Sequence, residues 1–319
     1  MKWAMNHLLA LATVLAFASS ALAQFRPDTA AHEGGAGGVP MVRPSRWEDV
    51  PVYRHEGLSR ARFAVALSGV GIYDLAFYET LKKPWWSGEK SGFHVINDWW
   101  GNYAMEVDKC AHAYAGQSMA LIAAQSYQWS GMTRRQGLFW GGVTGVAMLA
   151  QVEVLDGYTR RYGFSTGDFA ANLVGAFYPL AQEVWDPLRL VTLKMSWHPR
   201  RFEDTGYDHN PSPPNLLEDY DRMTYWLALD INGMLPAGVQ RYWPDWLGVA
   251  LGYGVKNAFS QCEGDRMREC YVALDLDPTR ANLGNGWLAR ALAPLHYIHL
   301  PAPAIRFRGD GTKSFALYF

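Results

Sequence analysis

The chain has 319 residues, with 29 Lys and Arg against 30 Asp and Glu, a net charge of −1 and no basic run. That balance supplies no field to gather a polyanion, so a nucleic-acid partner is excluded. Aromatic residues are abundant, with 14 Trp, 17 Tyr and 14 Phe, and such rings suit a membrane surface as well as a core or a sugar platform.

The first 23 residues read as a cleavable export signal. Lys2 is followed by an apolar run from Leu8 to Phe17, and Ala21-Leu22-Ala23 precedes Gln24 in the small-x-small pattern of a signal-peptidase site. The run is too short for a permanent span. No cysteine stands near the cut, so the sequence predicts an exported protein of the periplasm or outer membrane with no lipid at its N-terminus. Removing the signal leaves roughly 296 residues, enough for a large core. Residues 24–56, rich in Gly and Pro, lack the apolar periodicity that offsets ordering entropy and read as a flexible leader.

Residues 57–200 carry four apolar segments of helical length: Arg62 to Leu81, about Asn102 to Trp129, Thr133 to about Leu155, and Thr166 to about Val184. Gly131, Gly157 and Gly163 mark the joints, and Ser165 is placed to cap the last helix. Segments apolar almost all round must be buried in protein or lipid. Gly137, Gly141 and Gly145 share one face and admit a neighbouring helix at close range. The uninterrupted stretch Leu138 to Leu149 falls short of the roughly 20 residues of a span, which favours a compact bundle over a set of full spans.

Residues 201–319 change to alternation. A Pro-rich joint, Asp208 to Asn215, leads to about five strands. These are Met223 to Ile231, Trp246 to Lys256, Cys270 to Asp277, and a hairpin of Ala304 to Arg308 with Ser314 to Phe319 across Gly309-Asp310-Gly311-Thr312. In the second, Leu247, Val249, Leu251, Tyr253 and Val255 take one face and Gly248, Ala250, Gly252 and Gly254 the other, a pattern shared with outer-membrane barrel strands. Five strands are fewer than a barrel needs, so a small antiparallel sheet packed beside the bundle is expected. Gly284 to Leu295 reads as a short helix. Cys262 and Cys270 are spaced to close a disulfide. The predicted fold class is therefore α+β, a compact apolar bundle of about four helices followed by a small C-terminal antiparallel β-sheet.

Chemistry concentrates in the bundle. Asp108 and His112, with Lys109 beside them, share one helical face; Glu153 and Asp156 share another; Asp168 and Asn172 a third. Ionised groups in apolar helices are expected to find one another, because a charge buried alone costs several kcal/mol. The simplest assembly sets Lys109 and His112 against Glu153, Asp156 and Asp168, with Asn172 bridging. Three roles stay open for it: a buried network that registers the helices; a catalytic centre in which the carboxylates divide acid and base roles; and a divalent metal site on His112, Glu153 and Asp168, suited to zinc or manganese. Cys110 points to a different face from His112 and reads as packing. No nucleophile elbow, Walker loop, dinucleotide glycine pattern or CxxC is present.

The segments Asn97-Asp98, Asp108-Lys109-Cys110-Ala111-His112, Gln151 to Tyr158 and Gly163 to Ala176 resemble the family of predicted periplasmic lipoproteins catalogued as domain of unknown function 2279. Pro213 to Asp219, Tyr225 to Leu227, Gly252 to Gly254, Leu300 to Ala304 and Leu317 to Phe319 look like its longer members, so the resemblance covers about residues 60–319. The core is also similar, more weakly, to VanZ-like membrane proteins through Asp108, Lys109, His112, Glu153, Ser165, Asp168, Asn172 and Gly175. The first resemblance implies an envelope location, and the missing lipobox cysteine is a departure from its lipoprotein label. Together these readings predict a structural or accessory envelope protein that meets membrane lipid or an envelope partner. The alternative is a hydrolase or transferase acting on a glycolipid or peptidoglycan-type substrate.

Overall fold

The computed structural model describes residues 57–101, 104–198, 216–258, 266–281 and 292–319. The segments expected to be an export signal and a leader, the Pro-rich joint, Cys262 and most of the helix expected over Gly284 to Leu295 lie outside them.

Four long helices form as the apolar periodicity demands. Helix α1, Arg60–Trp86, is capped by Ser59 and continues past Pro84 to Trp86, whose indole stacks on Tyr78 and donates to Asp156. A two-residue strand β1, Val95–Ile96, follows. Helix α2, Val107–Trp129, starts later than the hydropathy suggests, after a turn in which Met105 and Glu106 both take positive φ. Such backbone is strained for residues with a Cβ and needs outside support. It receives it from the far half of the chain, where Tyr253 donates to the Met105 carbonyl and Arg268 makes a forked bond to Glu106.

Helix α3, Arg134–Asp156, opens with a reciprocal capping box between Thr133 and Gln136. Strand β2, Phe164–Ser165, pairs parallel with β1 and feeds helix α4, Thr166–Val184, which Ser165 caps through the Asp168 amide. The glycines act as expected. A Cβ on Gly141 would overlap the Ala120 carbonyl of α2, and a Cβ on Gly175 of α4 would overlap the Ala113 carbonyl. Gly116 in turn lies against the Asn172 and Ala176 backbone. Helices α2, α3 and α4 therefore cross almost backbone to backbone. By length and composition α3 could cross a membrane, and it is the sole described helix of that kind. Its glycine face is taken up by α2, the helix that packs against all three others and reaches the sheet.

The sheet has six described strands in a continuous antiparallel meander: β3 (Val191–Trp197), β4 (Met223–Leu229), β5 (Leu247–Lys256), β6 (Met267–Leu276), β7 (Ala302–Arg308) and β8 (Gly311–Tyr318). The sheet begins before residue 200, one strand earlier than the alternation after residue 201 predicts. Ile231 belongs to a short helix α5, Ile231–Met234, rather than to β4; α6, Ala237–Gln240, follows it. Leu292 to Tyr297 forms a short helical turn.

The sheet is strongly curled. Strands β4 and β8 would stand about 19 Å apart if flat, at the usual spacing of about 4.8 Å. Yet the Tyr318 hydroxyl of β8 is 3.1 Å from the Thr224 hydroxyl of β4 and 2.8 Å from that of Tyr271 on β6. The face that closes inward carries the small, aromatic and charged side chains, Trp226, Ala250, Tyr271, Ala273, Lys194, Asp275, Glu269 and Arg306. The convex face carries the aliphatic ones. Cross-strand registers align Leu227, Leu251, Val272 and Ile305 in one row, with Val249 and Leu274 in the row on one side and Tyr253, Cys270 and Phe307 on the other. Among the described residues the β3–β5 end of this face is covered, where Met223, Tyr225 and Val255 pack with Val107, Cys110 and Tyr114 of α2.

Candidate functional site

The three glycine-mediated crossings fix where the polar pairs meet. His112 stands one turn before Gly116 on α2, and Asn172 one turn before Ala176 on α4, so the contact that joins the helices also joins these side chains. The expected residues gather as two groups that share Asp168. In the first, the Lys109 ammonium lies 2.8 Å from Asp98, 3.0 Å from Asp108 and 3.1 Å from Asp168. In the second, His112 Nδ1 is 2.9 Å from Asn172 Oδ1 and 3.6 Å from Glu153 Oε1, while its Nε2 is 3.9 Å from Asp168 Oδ2. Asp156 stands apart from both and accepts the Trp86 indole N–H at 2.7 Å.

Asp98 and Ser165 complete the site, and residue spacing alone does not reveal their part in it. The Ser165 hydroxyl donates to Asp98 at 2.6 Å and accepts from the Asp168 amide, and the Ser165 amide donates to Glu153. Asp98 lies in a loop beyond β1, and the β1–β2 pairing sets it beside Ser165 and within reach of Lys109.

The electrostatics follow from burial. Burial would raise the Asp98 carboxyl, but Lys109 and Ser165 outweigh it and hold the group below its ordinary range. Burial, reinforced by Asp168, raises Asp108 despite Lys109. Burial would lower Lys109, but its three carboxylates keep it firmly charged. For His112 burial again opposes charge, and Asp168, Glu153 and the Asn172 bond prevail, so its ring is raised. Glu153 is pushed up to about 8, and Asp156 to about 7, chiefly by burial. The Cys110 thiol is pushed up to about 11 by burial and packs against the core shared with the sheet, in keeping with a packing role.

A second buried network fills the concave side of the sheet and has no counterpart in the sequence reading. Lys194 lies 2.8 Å from Asp275 and 3.5 Å from Asp277. His299 pairs with Asp275 at 3.0 Å, and His296 with Asp277 at 2.6 Å. Glu269 receives Arg308 at 2.8 Å and the Tyr271 hydroxyl at 2.6 Å. Strand alternation puts Asp275 and Glu269 on one face of β6 and Lys194 on one face of β3 without marking those faces as the buried ones, and the histidines reach them from an irregular turn.

Fold and site together define an α+β protein in which a glycine-packed helical core is locked by an acid, lysine and histidine network and a curled sheet buries charge while exposing aliphatic residues. Residues 97–181 match the family described as "Predicted periplasmic lipoprotein", domain of unknown function 2279. The match takes in every residue of the bundle cluster from Asp98 to Asn172 and stops short of the sheet. Its description accords with an exported protein of the periplasm or outer membrane. No curated protein and no solved structure matches the chain.

Proposed function

We propose that the protein is a structural or accessory component of the bacterial cell envelope, docked on a membrane through the convex face of its sheet. The observation that carries this is the inverted polarity of the sheet. Leu227, Leu251, Val272, Leu274, Ile305, Phe307 and Leu317 are each at least 38% exposed, while Lys194, Asp275, Asp277, Glu269 and Arg306 are buried on the opposite face. A sheet in water places these the other way round. A lipid surface is the solvent that rewards this arrangement, at about 25 cal/mol for each Å² of apolar surface withdrawn from water.

The rim of the face suits a bilayer. Tyr242 and Trp246, both exposed, lead into β5 at one end of the aliphatic rows, and such rings favour the headgroup region. The exposed Val65, Ile72 and Leu75 of α1 add further aliphatic surface. In this reading the bundle cluster registers the helices, and the strained turn at Met105 and Glu106, held by Tyr253 and Arg268, ties the bundle to the docking sheet.

Flotation of the purified mature chain with vesicles of phosphatidylethanolamine and phosphatidylglycerol tests the proposal. The wild-type chain should float with the vesicles, and the triple variant Leu251→Glu, Val272→Glu, Ile305→Glu should stay at the bottom while keeping its circular dichroism. A wild-type chain that stays with the soluble fraction, or a folded variant that floats equally well, contradicts it. Self-association of the wild type through the same face without vesicle binding would assign the face to a protein contact instead.

A further inference from the structure

We propose that His112, Glu153 and Asp168 bind one divalent cation of the zinc or manganese class. One donor atom from each lies within 4.8 Å of the other two, drawn from three different helices. Ligands on a tetrahedral zinc ion sit about 3.3–3.6 Å apart at bond lengths of about 2.0–2.2 Å. Closing the set by roughly 1 Å is within reach of side-chain rotation about the Asp168 and Glu153 carboxylates. One imidazole nitrogen with carboxylate oxygens is a donor set for a borderline cation rather than for a soft one.

Three features separate this corner from an ordinary acidic cluster. First, Asp98, Asp108 and Asp168 also converge within 4.8 Å, but the Lys109 ammonium already stands among them at 2.8–3.1 Å and would repel a metal. At the His112 corner the ammonium touches one ligand only, Asp168, through Oδ1 at 3.1 Å, and the other oxygen, Oδ2, faces His112 Nε2. Second, Asn172 is fully buried and turned into this corner. Its Oδ1 meets His112 Nδ1, and its Nδ2 has no partner. An amide oxygen accepting from Nδ1–H places the ring proton there and leaves Nε2 as the free donor, facing Asp168 Oδ2 at 3.9 Å, so that Glu153, now 3.6 Å from Nδ1, would turn its carboxylate toward the Nε2 side to join the ion. The remaining Nδ2–H is then a donor to a water or carboxylate oxygen held at the cation. Third, the two carboxylates of this corner, Glu153 and Asp168, come from separate helices and both approach the one imidazole, at 3.6 and 3.9 Å. The His112 side chain keeps 20% of its surface exposed, which gives the ion a way in.

The test uses the full mature chain, stripped with a chelator and equilibrated separately with zinc chloride and manganese chloride. Bound metal is counted after desalting, and affinity is measured by titration calorimetry. The proposal expects about one equivalent of zinc or manganese per chain and a raised melting temperature. The near-isosteric Glu153→Gln and Asp168→Asn variants should bind on the order of tenfold more weakly or worse. A wild-type chain that retains neither metal overturns the site, as do folded variants that bind like the wild type. If the variants do not fold, cobalt(II) loaded into the wild-type chain decides. Visible d–d absorption that zinc displaces supports the site, and its absence overturns it.

Discussion

Lys109 shows how a single residue organises the bundle. Its ammonium is shared by Asp98 on the loop after β1, Asp108 beside it and Asp168 on α4. Removing one partner of such a group leaves like charges facing each other without water. Lys109→Met should therefore cost about 3 kcal/mol of unfolding free energy in denaturant titration; a loss under about 0.5 kcal/mol, the scale of an ordinary surface substitution, would show the group to be incidental. Asp156 behaves in the opposite sense. Burial lifts its carboxyl to about 7, so the folded state holds the proton more tightly than the unfolded chain. Stability from this group is complete below about 4, its value in an open chain, and is lost as pH rises toward 7. Asp156→Asn, which can still accept the Trp86 indole bond, should melt above the wild type at pH 8, with the gap closing toward pH 4. Equal melting curves at pH 8 would contradict the assignment. The residue pairs Asp108 with His112 and Asp168 with Asn172 were legible because spacing of four on a helix puts side chains on one face. The part played by Asp98 was not, since a loop residue finds Lys109 only through tertiary pairing.

At the scale of elements, the glycines decide how close the helices run. Gly175 has the Ala113 carbonyl in the space a Cβ would need, whereas Gly69 of α1 has nothing within 4 Å. Gly175→Ala must push α4 off α2 and separate Asn172 from His112, with a loss of about 1–3 kcal/mol or more. Gly69→Ala should instead gain up to about 1 kcal/mol, because it removes backbone freedom from an open helical position. Denaturant midpoints measured on both variants check the contrast, and equal effects would refute the close crossing. The helices were legible in the sequence from their apolar period and caps, and α4 ends where that pattern ends. Strand β3 was not read, although Val191, Leu193, Met195 and Trp197 alternate with Thr192, Lys194 and Ser196. It follows a Pro-containing turn directly after α4, and Lys194 on one face resembles a solvent-facing strand. Alternation separates two faces of a strand, but it carries no label for which of them is buried.

For the whole molecule, that missing label is the central matter. The chain builds its bundle from near-continuous apolar helices and its sheet with charge on the concave side, so aliphatic residues remain on the outside of both. The bilayer contact we propose would account for the two halves with one cause, and Tyr253 and Arg268 tie them together by gripping the strained turn before α2. The measurement closest to this account is nitroxide labelling of single cysteines placed at positions 251, 272 and 305 on the convex face and at 310 in the β7–β8 turn, in a background without native cysteines. Power-saturation spectra would be recorded with vesicles present. The account predicts that labels at 251, 272 and 305 become more accessible to oxygen and less accessible to a water-soluble nickel chelate than the label at 310. Convex-face labels as open to the nickel chelate as the turn label would contradict it.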